Sequence, residues 1–267
     1  PEGISGFGKV LDNRFANQVS LLTRALTEPS DSRTAGVVNI TTPTVFDGGD
    51  VGVYGGSNAT FNPSIEYGTT TKDGVSLYGT GQFYNSLVGI ESPTDAYHPV
   101  HDHTQQGKGF GYMSFSPEEN MKVSALVGTT FGRYQIPDNP AQAPDPAYCS
   151  AYGNNSCALN SSDLNERQYE RNTYGLVALQ GTPTDRFNYQ EALFSLLSSV
   201  EYVPDQTGDL VFNGVAADIY RRSTIAGLQS DLSYRISDAH TLRGGMFFSN
   251  ENDIIDNTSY VLQTNGA

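Results

Sequence analysis

The stretch Asp31–Asn58, DSRTAGVVNITTPTVFDGGDVGVYGGSN, divides the chain. It begins with a short apolar strand, Ala35–Ile40, whose run of Val37, Val38 and Ile40 suggests burial inside a small unit. A Pro/Gly break covers Pro43 to Gly49. Ahead of it, Phe7, Val10, Leu11 and Phe15 predict a short helix over Gly6–Ala16, followed by a strand at Val19–Leu26 and a turn at Pro29–Arg33. Behind it the chain is strand and turn throughout. The expected division is a compact mixed unit over residues 1–43 and one continuous sheet over 44–267.

The sheet is expected to hold about nine strands. The first two are placed at Asp50–Gly56 and Thr60–Thr70, and a turn at Lys72-Asp73-Gly74 carries the hairpin-favoured Asp-Gly pair. Val75–Val88, Thr104–Phe115, Met121–Gln135, Gln168–Gln180, Phe187–Val203, Tyr220–Ile236 and His240–Asn250 complete the set. Short turns follow strands two, four, six and eight, and longer connections follow strands three, five, seven and nine. All the short turns therefore lie at one end of the sheet, as in outer-membrane barrels. A Greek-key sandwich would scatter its loop lengths over both ends.

Alternation gives each strand two faces. Val75, Leu77 and Phe83 oppose Ser76, Thr80 and Gln82; Ala226, Leu228, Leu232 and Tyr234 oppose Gln229, Asp231, Ser233 and Arg235. On strand seven, Ala192, Phe194, Leu196, Val200 and Tyr202 are assigned to the lipid side, opposite Glu191, Ser195, Ser199 and Glu201. Leu193 and Leu197 break that assignment.

Composition narrows the classes. Hydrophobic residues make up 37% of the 267 and the mean hydropathy is -0.39, with no run near the ~18 to 20 apolar residues of a spanning helix. A membrane barrel needs apolar side chains only at alternate positions, so it stays open. A formal charge of -14 argues against a nucleic-acid partner. The ends, PEGISGFGKV without a leader pattern and TSYVLQTNGA resembling the start of a strand, point to a piece of a longer protein.

Cys149 and Cys157 lie in the longest connection, Ile136–Arg167, whose polar composition offers free thiols no burial; a local disulfide is expected. Tyr134, Tyr148 and Tyr152 in and beside this loop are candidate ligand contacts. His98, His101 and His103, with Asp102, either bind a transition metal or form a polar loop rim. The rim reading is adopted, with the three histidines kept as candidate ligand contacts and no metal site assigned. Ser237, Asp238 and His240 sit in one tight turn and cannot form a nucleophile–base relay there.

The segments LDNRFANQVSLLTRAL, RTAGVVNITT and VGVYGGSN resemble the end of the plug and the first barrel strand of TonB-dependent outer-membrane receptors. HDHTQQGKGFGYMSFSP, GDLVFNGVAADIYRRS and SYRISDAHTLRGGMFFS continue the resemblance in order. It implies an all-β fold: part of a transmembrane antiparallel barrel of roughly twenty-two strands, preceded by the C-terminal part of a small α+β plug. It also implies a transporter and not an enzyme, placed in the bacterial outer membrane without a cofactor. The expected partners are membrane lipid, a scarce ligand such as a ferric siderophore, and the TonB complex acting on a plug segment outside this chain. Oligosaccharide, cobalamin or peptide uptake is the alternative within the family; a passive porin or a lectin-like surface protein is the alternative outside it. Arg33, beside the plug–wall junction, is the candidate contact on the plug side.

Overall fold

The computed structural model describes residues 18–22, 37–41, 46–91, 94, 100–153 and 155–264. Two short strands, β1 (Gln18–Leu22) and β2 (Val37–Thr41), pair antiparallel in a sheet of their own, with Gln18 opposite Thr41 and Leu22 opposite Val37. The expected helix over Gly6–Ala16, the turn before Arg33 and Arg33 itself lie outside the described residues.

The remaining strands form one nine-stranded antiparallel meander in strict chain order. They are β3 (Asp47–Gly56), β4 (Thr60–Thr70), β5 (Ser76–Ser86), β6 (Thr104–Glu118), β7 (Met121–Gln135), β8 (Arg167–Thr184), β9 (Phe187–Val203), β10 (Val215–Ser237) and β11 (His240–Val261). β3 and β11 are the two edges. Asp73-Gly74 makes the expected tight turn: Gly74 takes a φ of +78°, which glycine adopts without a Cβ penalty, and its N–H donates to the Thr71 carbonyl at 3.0 Å.

Cross-strand register sorts the side chains into two unlike faces. One row runs Leu77–Met113–Ala125–Val177–Leu193–Leu228, each residue opposite the next. Another runs Gln82–Lys108–Thr130–Asn172–Ser198–Ser223 on the reverse side. Among the described residues nothing covers the apolar face, with Val51, Ile65, Met113, Val127, Val177 and Leu193 exposed. The polar face satisfies itself across strands. Tyr78 donates to Glu66 at 2.8 Å, Gln82 to Asn62 at 2.8 Å and Ser223 to Glu251 at 2.9 Å. Gly128 and Gly132 leave room on this face for the rings of Tyr174 and Tyr134, with which an added Cβ would collide.

The structure corrects three details. On β9 the faces are reversed. Register puts Leu193, with Glu191, Ser195 and Leu197, on the uncovered apolar face, and puts Phe194 with Ala192 and Leu196 on the other. Apolar residues occur on both sides of this strand, so alternation alone could not orient it. The stretch Pro204–Ile219 is not a plain loop, because it holds a helix and the first residues of β10. β11 does not stop at Asn250; the polar stretch after it stays paired with β10 as far as Val215 opposite Val261. The strand end expected at Asn250 therefore moves to Val261.

Candidate functional site

The three long connections, residues 87–103, 136–166 and 204–214, follow β5, β7 and β9 and so emerge at the same end of the sheet. The β3–β4 turn at this end is short, with Asn58 and Ala59 at positive φ. The opposite end carries the tight turns, one of which places Ser237 Oγ 3.1 Å from His240 Nδ1 in the open.

The loop end has a core of its own. In the second connection Asp145 caps helix α1 (Pro146–Tyr152), accepting from the Ala147 N–H at 2.8 Å, with Pro146 at the first helical position. In the third, Asp205 caps helix α2 (Gln206–Asn213) through the Gly208 N–H at 2.9 Å. Gly214 ends α2 in the left-handed region, with the Tyr148 ring packed where a Cβ would sit. Cys149, Leu164, Val211 and Phe212 are buried together between the two connections, with Tyr152 and Leu159 packed against them. Cys149 and Cys157 are disulfide-bonded, their Cα atoms 4.9 Å apart. Tyr152 meets Thr207 hydroxyl to hydroxyl at 3.1 Å.

Beside this core the connections bring four titratable groups together. His101, from the first connection, hydrogen-bonds through Nδ1 to the Asp138 carboxylate of the second. Glu166, the last residue before β8, completes a set whose ligating atoms all lie within 4.8 Å of one another. Asp209 of α2 is within side-chain hydrogen-bond reach of Glu166. Burial first, and then the Asp138 and Asp209 charges, push the Glu166 carboxyl up to about 8. Asp209 is raised as well, mainly by its own burial.

The histidines do not act as one motif. Asp102, fully buried, accepts from the Ile90 and Glu91 N–H groups at 2.7 and 3.1 Å and so shapes the first connection. His103 turns away from His101: its Nε2 is 2.8 Å from Asn85 Oδ1, and its N–H donates to Gln135 at 3.0 Å. Burial, and then the Arg133 charge, hold its pKa below the usual histidine value. His98 lies outside the described residues. Tyr134 is buried at the end of β7, while Tyr148 and Tyr152 stand in the loop core. Asp138, Glu166 and Asp209 were not singled out in the sequence. Asp138 and Glu166 stand at opposite ends of the second connection and Asp209 in the third, and only the fold brings them within reach.

No protein-family model and no curated protein matches this sequence. Solved structures do share its fold. The unliganded ferric citrate transporter FecA superposes with a TM-score of 0.59 at 15% identity, over 85% of this chain and 33% of that one. The ferric yersiniabactin uptake receptor FyuA from Yersinia pestis gives 0.61 at 12% identity, over 91% of this chain and 37% of that one. The fold is that of TonB-dependent receptors. The chain spans about a third of the length of each receptor, and its nine-stranded sheet matches part of a receptor barrel. Among the described residues no helix is long and apolar enough to cross a membrane, which leaves strands free to do so.

Proposed function

We propose that the chain is the end of the plug and the first part of the wall of a TonB-dependent outer-membrane receptor that imports a ferric chelate. The observation that carries this reading is the fold shared with two proteins whose names state ferric citrate transport and ferric yersiniabactin uptake. The faces of the sheet support it: an uncovered apolar row suits lipid, and a hydrogen-bonded polar row suits a wet lumen. In this reading residues 1–43 belong to the plug and 44–267 to the barrel. The three long connections face the outside and take the ligand, with Tyr148, Tyr152 and His101 at that end as candidate contacts. Energy arrives from TonB through a plug segment outside this chain.

The test is a deletion strain grown under iron limitation with ferric chelates supplied singly. Restored growth only when the gene is returned, and only on particular chelates, names the ligand class. Normal growth of the deletion strain on every ferric chelate, with a defect on an oligosaccharide, cobalamin or a peptide instead, moves the protein to another cargo.

A further inference from the structure

The group formed by His101, Asp138 and Glu166, with Asp209 beside it, has a composition that packing alone does not account for. Glu166 is 4% exposed and Asp209 7%. Among the described residues no lysine or arginine pairs with any of these carboxylates, His101 being the one basic partner found. Buried carboxylates without a cation are costly, because burial removes hydration that nothing returns. Glu166 also keeps one carboxylate oxygen, Oε2, fully buried with no hydrogen-bond partner. A buried acceptor in that state loses its solvation without compensation.

We propose that these residues bind one divalent first-row transition-metal ion, which fastens the three long connections to one another. Three donors come from the first connection (His101) and the second (Asp138 and Glu166), and Asp209 on α2 of the third stands within hydrogen-bond reach of Glu166 as a further one. One imidazole with two or three carboxylates is a borderline nitrogen–oxygen set, suited to Zn²⁺ and its neighbours. Ca²⁺ and Mg²⁺ prefer shells of oxygen alone. Zinc bonds of about 2.0 to 2.2 Å place tetrahedral donors roughly 3.3 to 3.6 Å apart. Side-chain rotation therefore has to draw the widest pair inward from within 4.8 Å and let His101 and Asp138 separate slightly. Such an ion neutralises the acids, gives Glu166 Oε2 a partner, and holds together loops that three different hairpins supply. The inference does not rest on what the protein transports.

The experiment uses the natural protein, purified in detergent and stripped with a chelator, then titrated calorimetrically with Zn²⁺. One equivalent is expected to bind at micromolar or tighter affinity. His101→Ala, Asp138→Asn and Glu166→Gln should each weaken it at least tenfold, with Glu201→Gln on the exposed sheet face as the control that leaves it unchanged. Co²⁺ serves as a second probe: visible absorption bands should appear with the unmodified protein and vanish with His101→Ala. Far-ultraviolet circular dichroism confirms that each variant keeps its sheet, and the isosteric Asp138→Asn stands in for any that does not. No saturable Zn²⁺ uptake by the unmodified protein, or unchanged affinity in the folded variants, overturns the proposal.

Discussion

Leu164 and Gly208 are in direct packing contact, the leucine Cδ2 lying where a Cβ on the glycine would stand. The contact joins the end of the second connection to the first turn of α2. It closes the buried cluster of Cys149, Val211 and Phe212 from one side.

Gly208→Ala is therefore expected to loosen the loop end, although alanine favours helix at an ordinary position. Overpacking of this kind costs ~1–3 kcal/mol. Hydrogen exchange of amides in α1 and α2 should quicken accordingly while β6 to β9 keep their protection. Unchanged exchange in α2 would show that Leu164 relaxes freely.

Reduction of Cys149–Cys157 should act on the same region. The bond closes a short loop, for which the chain-entropy estimate is ~2–3 kcal/mol, and Cys149 sits in the loop core. Limited proteolysis with and without reductant should show new cleavage inside residues 136–166 and none in the sheet.

The acidic group predicts a pH dependence in chelated protein. A carboxyl raised in the folded state stabilises that state fully below its unfolded value, near 4.5 for Glu166, and loses the contribution as pH rises through about 8. Asp209 is shifted in the same direction, and Asp138 and Asp205 face the pair as further acids while His101 is the facing base. Loop amides, corrected for intrinsic rates, should exchange faster at pH 8.5 than at pH 6. Glu166→Gln should flatten most of that difference; an equal slope in the variant assigns it elsewhere.

The orientation of β9 can be tested in lipid. Leu193, 60% exposed on the apolar face, should tolerate arginine poorly, at ~2–4 kcal/mol if it lies near the bilayer midplane. Ser195→Arg on the same face should also be costly, and Gln190→Arg on the polar face should be mild. Urea titrations of folding in vesicles give these values, and a reversed order would return the strand to the opposite orientation.

The sheet was readable from sequence wherever one face was apolar and the other polar, as on β5 with Leu77 against Ser76 and Thr80. It was ambiguous where both faces were apolar, as on β9. The helix α2 escaped because Leu210, Val211 and Phe212 form a short run between two strands, with no periodicity long enough to show. The far half of β11 escaped because its residues are polar, and only pairing with β10 makes them strand. The acidic group could not be seen at all: positions 101, 138, 166 and 209 are far apart in the chain, and the meander alone brings them together.

Energised import of a ferric chelate, as proposed, can be measured as uptake of radioactive iron into cells. Iron-limited cells with and without the gene would receive ferric citrate, hydroxamate, catecholate and phenolate chelates in turn, each with and without a protonophore. At least one chelate is expected to enter only when the gene is present, and its entry to stop when the proton gradient is collapsed. Identical uptake in both strains for every chelate, or gene-dependent uptake indifferent to the protonophore, would contradict it.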